Sequence, residues 1–307
     1  MKTYRFRLKP LAAWSTPWQS DTIFGSLCWE LRKLQGEDAL RQFLRRYDEG
    51  QPPFVLSDAL PEGWFPLPLC ASLQEMPRLN FKARSPEWIS EERFRALIRQ
   101  PGPIIPQPSW PEPISSTREL HAAIDRSTNT TGGEGNLFEL QEWFLTPGTS
   151  PAHSHLALYL RTNDSLDLAG TLLRSLASSG YGKKKTIGSG AFEVVGKPEA
   201  CEWLDETAGA DGFVSLSHFI PGHKDPNEGA WTLLTKYPKY AAGAPAPGAF
   251  KGRLTMFRPG SVFRVAGPIA GFYGRVLKNL HQGFPEPVHY ALAFPVPICW
   301  PKGPAAA

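Results

Sequence analysis

The chain of 307 residues has only four cysteines, Cys28, Cys70, Cys201 and Cys299, and no two of them form a C-x-x-C pair. That spacing offers neither a zinc site nor a disulfide framework. Cys28 falls in a helical pattern and reads as a small buried hydrophobe. No apolar run approaches the roughly 18 residues of a membrane span. The start, Met1-Lys2-Thr3-Tyr4-Arg5-Phe6-Arg7, alternates where a signal peptide would carry an apolar core. The expectation is a soluble, cytoplasmic protein without membrane contact. Both common nucleotide motifs are also missing. Gly182-Lys183 is followed by Lys184 instead of Ser or Thr, and Ala177 stands where a P-loop needs its first glycine. The G-x-G-x-x-G pattern fails at Lys185 after Gly180 and Gly182, and at Glu193 after Gly188 and Gly190. His153 and His155 would share one face of a strand, but no third ligand is near in sequence, so no metal or cofactor is expected.

What is present is enough apolar sequence (41%) and little enough charge (20%) to bury a core and exclude a disordered chain. The net charge of +4 is mild, so any nucleic-acid site must be a local patch. Proline (31) and glycine (28) are both abundant, which predicts long loops ordered by packing. Ten tryptophans exceed the usual share and place some of them at subunit contacts.

One stretch concentrates chemistry: Ser178-Ser179-Gly180-Tyr181-Gly182-Lys183-Lys184-Lys185-Thr186-Ile187-Gly188-Ser189-Gly190-Ala191-Phe192. Glycines admit positive φ and close approach of a ligand. Their N–H groups form anion-binding nests, and three lysines add mobile positive charge. The combination suits a polyphosphate backbone, and its bland alternative is a solvated basic turn.

Along the chain, residues 3–8 read as a strand, Ser20-Asp21-Thr22 supplies N-cap chemistry for a helix through residue 31, and residues 39–47 form an amphipathic helix. Arg41, Arg45 and Arg46 then lie on its solvated face or meet an acidic partner. A short strand covers 54–56. Residues 60–117 are irregular and proline-rich, apart from a helix at 91–99, and such an insertion is usually functional. Residues 119–126 and 137–145 form a long β-hairpin with a glycine-rich tip. A strand at 155–161, a helix at 166–177, the glycine-lysine loop and a strand at 191–195 follow. This β-α-β…β-α-β order is the ferredoxin-like pattern. From residue 199 on, strands at 213–219, 230–234, 253–257, 262–265 and 290–295 predict a second α+β sheet module, with a small-residue loop at 241–250.

These residues resemble one family in chain order. The matching pieces are Leu8-Lys9-Pro10, Ser20-Asp21-Thr22-Ile23-Phe24-Gly25, Pro53-Phe54-Val55-Leu56-Ser57-Asp58-Ala59 and His121-Ala122-Ala123-Ile124-Asp125-Arg126 leading to Gly135-Asn136-Leu137-Phe138. They continue with the loop from Gly180 to Phe192, Phe257-Arg258-Pro259-Gly260-Ser261-Val262-Phe263, Tyr273-Gly274-Arg275-Val276 and His289-Tyr290-Ala291-Leu292-Ala293-Phe294. The chain resembles the RAMP superfamily of CRISPR systems, and within it the subunits that cap the 5′ end of the guide in type III-A (Csm) effector complexes. Ala291 departs from the pattern, where glycine is expected.

The resemblance implies an α+β fold of two ferredoxin-like (RRM-like) modules. Residues 1–198 would hold the first, with the insertion (about 60–117), a hairpin thumb (119–145) and the glycine-rich loop (178–192); residues 199–307 would hold the second. It also implies binding of the repeat-derived 5′ tag of the crRNA, docking on the large polymerase-type subunit, contact with a backbone RAMP subunit, and no catalytic centre. A single-stranded tag is held by phosphate contacts and stacked bases. The candidate RNA contacts are therefore Gly180, Tyr181, Gly182, Lys183, Lys184, Lys185, Thr186, Gly188, Ser189 and Gly190, with His121, Arg126, Tyr273 and Arg275. Tyr181 is a stacking platform or an anchor of the loop in the sheet. Arg126 contacts RNA or pairs with Asp125 or Glu134. Tyr273-Gly274-Arg275 is a second contact in a glycine turn, or a structural turn. Asp21 reads as an N-cap, against a catalytic aspartate. A RAMP endoribonuclease that processes repeat RNA would need a histidine beside the scissile phosphate, and no spacing places one near the loop. That nuclease, the type III-B capping subunit and a purely protein-binding scaffold are the alternatives.

Overall fold

The computed structural model describes residues 1–70, 86–102, 104, 109–124, 126–131, 137–146, 154–240, 250–280 and 287–301. In chain order the elements are β1 (Lys2–Pro10), α1 (Ser20–Gln35), α2 (Glu37–Asp48), β2 (Val55–Pro61), β3 (Trp64–Pro66), β4 (Trp88–Ser90), α3 (Glu91–Arg99), β5 (Ile114–Ala122), β6 (Leu137–Leu145), β7 (Leu156–Thr162), α4 (Asp167–Ser179) and β8 (Phe192–Ala200). There follow β9 (Gly212–Ser215), β10 (Gly229–Ala230), β11 (Leu233–Lys236), β12 (Leu254–Phe257), β13 (Val262–Arg264), β14 (Tyr273–Leu277), β15 (His289–Ala293) and β16 (Pro295–Ile298). The class is α+β, and every strand pairing among the described residues is antiparallel. No described helix is long and apolar enough to cross a membrane.

The first half is built on a four-stranded sheet in the order β2-β7-β1-β8. β1 buries Phe6 and Leu8 on one face and Thr3 on the other. β7 is buried along its whole length because it is central and covered on both faces. α1 turns Ile23, Phe24, Leu27, Cys28 and Leu31 inward at helical spacing, and α4 does the same with Ala169, Leu172, Leu173 and Leu176. α1 packs on α4, β2 and β15. The second half holds a sheet in the order β10-β13-β9-β16 and the pairs β11-β12 and β14-β15.

Two differences from the sequence expectations stand out. The second half contains no α-helix among its described residues, and Pro221, Pro226, Pro238, Pro259, Pro268 and Pro295 break much of it into short segments. The insertion is not wholly irregular, since β3 pairs with β4 and leads into α3. Residues 241–249 of the expected small-residue loop and residues 132–136 of the expected glycine-rich hairpin tip lie outside the described residues.

One core runs through both halves: Phe24 stacks on Tyr290 at 4.7 Å, and the Tyr290 hydroxyl accepts from the Leu56 N–H at 2.8 Å. Arg161 is the second tie. Its guanidinium donates to Asp205, to Thr3 Oγ1 and to the carbonyls of Leu204, Gly271 and Pro295.

Candidate nucleic-acid interface

α4 ends at Gly180, whose N–H donates to Leu176 O at 2.8 Å and whose φ is 77°. The chain then makes a narrow-necked loop. Tyr181 N–H donates to Gly190 O (3.3 Å), closing the neck. Gly190 N–H donates to Ala13 O (2.9 Å), and Lys183 N–H donates to Thr16 Oγ1 (3.0 Å), so the neck is tied to the segment preceding α1. Ser189 Oγ lies 3.0 Å from Ser15 Oγ. Two glycines are required by contact as well as by φ. A Cβ on Gly190 would fall 2.1 Å from Tyr181 O, and one on Gly182 would fall 2.6 Å from Thr16. At Gly188, with φ of 90°, a Cβ would meet nothing, and positive φ alone favours glycine there.

The crest of the loop is open. Lys183, Lys185, Thr186, Ile187 and Gly188 are exposed and Lys184 is half-buried. No carboxylate among the described residues pairs with any of the three lysines. The N–H groups of Gly188 and Gly190 are consumed inside the loop and by Ala13, so they do not form the expected phosphate nest. The amides of Gly182, Lys184, Lys185 and Thr186 have no acceptor among the described residues. The anion-binding capacity therefore lies at the crest, on the lysine side chains and these four amides.

Tyr181 is the anchor. Its ring is fully buried, stacks on Trp18 at 4.0 Å and 11°, and its hydroxyl donates to Pro17 O at 2.7 Å. It has no free face for a base, which corrects its role as a stacking platform. Burial also pushes its phenol well above the usual range.

The hairpin stands beside the loop. β5 and β6 pair in one register from Ile114↔Leu145 to Ala122↔Leu137, so β5 begins earlier and ends earlier than the sequence suggested. A backbone bridge between Trp14 and Trp143 and a hydrogen bond from Ser15 Oγ to Glu142 fix the base of the hairpin to the segment that holds the loop. Opposite residues of an antiparallel pair share a face, so His121 and Phe138 sit together, stacked at 5.6 Å. Lys184 Nζ lies 6.0 Å from the centroid of the exposed Phe138 ring. Three elements distant in sequence thus bring a lysine, an aromatic ring and an imidazole to one place. Phe138 was not selected from sequence. Its signal is an apolar residue on a hairpin strand whose partner positions are polar, which marks an exposed ring. No sequence spacing places the candidate His121 beside the loop, and Phe138 brings it there. Leu120, Ile124 and Leu137 are also exposed on the hairpin. Arg126 is exposed in the turn after β5, and its proposed partners Asp125 and Glu134 lie outside the described residues.

Tyr273 and Arg275 do not join this group. They lie on β14, which is a strand and not a turn. Tyr273 is buried against Phe213 at 4.4 Å, and its hydroxyl accepts from Ala270 N–H, so it offers no face to a base. Arg275 is exposed.

Asp21 is neither an N-cap nor an exposed catalytic group. Gln19 holds the N-cap position without a side-chain cap, and the cap comes from β2, where Asp58 Oδ1 accepts from Ser20 N–H at 2.8 Å. Asp58 Oδ2 also meets His218 Nδ1 at 2.6 Å. Asp21 is buried one residue further on, 2.5 Å from Lys236 Nζ and 3.3 Å from His289 Nε2. Burial alone would raise its carboxyl, but the charges of Lys236 and His289 and the Lys236 hydrogen bond hold it below its ordinary value. The buried His218 and His289 are thus structural partners. His155 faces Glu62 at 3.6 Å, and His153 and His281 lie outside the described residues. No group of three metal-ligating side chains occurs among the described residues. Of the α2 arginines, Arg46 pairs with Asp164 and Arg41 with Glu37.

The His289 imidazole gives a pH dependence. Burial, reinforced by Lys251 and Lys236 against the pull of Asp21, pushes it down to about 4. Between that value and its unfolded value of about 6.5, the unfolded chain binds a proton that the folded chain does not. Stability therefore falls as pH drops through this window, by up to about 3 kcal/mol. Denaturant unfolding from about pH 7.5 down to about 4 is expected to follow this fall, and His289→Gln to flatten it. Equal slopes in both proteins would remove His289 as the cause.

The fold has solved counterparts over nearly its whole length. These are Csm4 chains. One comes from the crystal structure of a Csm1–Csm4 cassette in complex with AMPPNP, with a TM-score of 0.62 and 17% identity over 98% of this chain and 100% of that one. Another comes from the Csm3–Csm4 subcomplex of the type III-A CRISPR-Cas interference complex, with a TM-score of 0.60 and 12% identity over 97% and 99%. At such identities the likeness is one of fold. No protein-family model and no curated protein matches the sequence.

Proposed function

We propose that this chain is a non-catalytic, guide-capping subunit of a cytoplasmic type III-A CRISPR effector complex. It binds the 5′ repeat-derived tag of the crRNA, docks the large polymerase-type subunit, abuts a backbone RAMP subunit, and so supports RNA-guided antiviral interference. The observation that carries this is the end-to-end likeness of fold to Csm4 chains solved beside Csm1 and beside Csm3. In this reading residues 1–198 and 199–307 are two ferredoxin-like modules. The first is supported by its β-α-β-β-α-β order and its β2-β7-β1-β8 sheet. The second is a reduced version, a four-stranded antiparallel sheet without an α-helix among its described residues.

The RNA contacts are the loop crest, with Lys183, Lys184 and Lys185 and the amides of Gly182 and Thr186, and the facing hairpin, with Phe138, His121 and the distal Arg126. Lysines hold phosphates while Phe138 and His121 stack against an unpaired base. The test is UV crosslinking of the full chain, alone and with the large subunit, to a guide carrying the 5′ tag. The expected result is a crosslink between the tag and the loop or Phe138, with the RNA intact. Absence of any crosslink to the tag would overturn the capping role. A shortened RNA whose production is lost in His121→Ala would replace it with the processing nuclease, since among the described residues His121 is the histidine that stands beside the loop.

A further inference from the structure

Between residues 229 and 285 the chain carries eight Lys or Arg residues and no Asp or Glu. Four of these cations are engaged. Lys236 pairs with Asp21, Lys251 donates to Val288 O, Arg264 pairs with Glu228 and Lys278 pairs with Asp48. Lys239, Arg253, Arg258 and Arg275 are exposed and have no carboxylate partner among the described residues.

Two of the four, Lys239 and Arg253, flank the β11-β12 ribbon. Its register is Leu233↔Phe257 and Thr235↔Thr255, and a bridge between Lys239 and Phe250 extends it. With a side-chain period of two, Leu254 and Met256 point inward and are buried, while the alternate positions point out. On the outer face Trp231 is 41% exposed, Leu233 55%, Tyr237 59% and Phe250 49%. The rings are held in place. Trp231 lies parallel to Phe263 at 5.8 Å and meets the Phe257 edge at 5.4 Å, and Lys239 Nζ sits 4.9 Å from the Phe250 centroid.

We propose that this outer face is a second surface for single-stranded nucleic acid. Backbone phosphates would rest on Lys239 and Arg253, and unstacked bases on Trp231, Tyr237 and Phe250. Flat aromatic platforms interleaved with unpaired cations fit a strand that presents both phosphates and bases. An apolar protein partner would leave the cations buried without counter-charge. The surface is formed by elements other than the 180–190 loop, and its assignment does not depend on the capping role.

The test uses the full chain and a fluorescein-labelled single-stranded RNA of about 12 mixed nucleotides that lacks any repeat-derived tag, read by fluorescence anisotropy. Trp231→Ala/Tyr237→Ala/Phe250→Ala is expected to weaken binding by at least about tenfold with the salt dependence retained. Lys239→Glu/Arg253→Glu is expected to weaken it and flatten the salt dependence. Trp231→Phe/Tyr237→Phe should keep most of the affinity. The charge-reversed side chains are exposed, so that variant remains informative if the aromatic one fails to fold. Absence of binding by the wild type would overturn the inference. So would ribbon variants that bind the probe as the wild type does, including the case in which they lose a protein partner instead. The variant lacking the three loop lysines, measured on the same probe and on a tag-bearing one, separates failure of this surface from failure of the loop.

Discussion

Replacing Arg161 by Met is expected to cost the fold about 3–5 kcal/mol, the range for breaking a buried charge pair from one side. The total stability of a domain is about 5–15 kcal/mol, so the variant should be close to unfolding. Arg161 is 4% exposed on the central strand β7. Its Nη2 lies 2.8 Å from Asp205 Oδ1, and its Nη1 donates to Gly271 O (3.0 Å) and Pro295 O (2.9 Å). The guanidinium carbon lies 4.5 Å from the Phe294 ring centroid. Burial pulls its pKa down and Asp205 opposes that pull. Methionine would fill the volume but leave the carbonyls of Leu204, Gly271 and Pro295 without this donor and Asp205, still held by Thr3, without its counter-charge. Lysine should rescue little, because a single ammonium cannot reproduce the planar fork. Arg161→Met combined with Asp205→Leu should recover part of the loss, since no buried charge is then stranded. Urea unfolding of the three variants measures this, and a single-variant cost below about 1 kcal/mol would contradict it.

Changing Lys183, Lys184 and Lys185 together to Ala is expected to weaken binding of a tag-bearing RNA by at least about tenfold at moderate salt. Each phosphate contact to a single strand contributes about 0.7 to the slope of log affinity against log salt, so the slope should fall by about 2. The side chains lie at the crest, outside the neck formed by Tyr181, Gly190, Ala13 and Thr16, so the melting temperature should not move. Anisotropy titrations at several salt concentrations, with a thermal melt as control, read both quantities. Unchanged affinity and slope would take the loop out of the interface.

Much of the first half was legible because local signals and tertiary packing agree there. The residues of α3 coincide with the predicted 91–99, and the inward faces of α1 and α4 follow the apolar spacing. The lysine-rich loop was found from composition alone. What could not be read depends on long-range pairing. Tyr181 has the same sequence neighbours whether its ring meets a base or Trp18, and only the fold places Pro17 and Trp18 against it. Asp21 after Ser20 satisfies every local rule for a cap, yet Asp58 of β2 takes that task and Lys236 claims Asp21. β14 was missed because Gly274, with φ of 85°, reads as a turn. The strand accepts that conformation because glycine has no Cβ, which would otherwise fall 2.3 Å from Ala291 O. Phe138 gained its place from the register of a hairpin whose strands are separated by 14 residues.

The ties between the halves also constrain how the chain matures. A ribosome delivers the N-terminal half first, at about 5–20 residues per second. During that interval Asp58 waits for His218, Asp21 for Lys236 and His289, and Arg161 for Asp205, Gly271 and Pro295. Tyr290, which caps the Phe24 ring, emerges directly after His289. A nascent first half therefore carries buried-type charges without counterparts and an uncovered aromatic face. It becomes native only once the segment from Asp205 to Pro295 has left the exit tunnel.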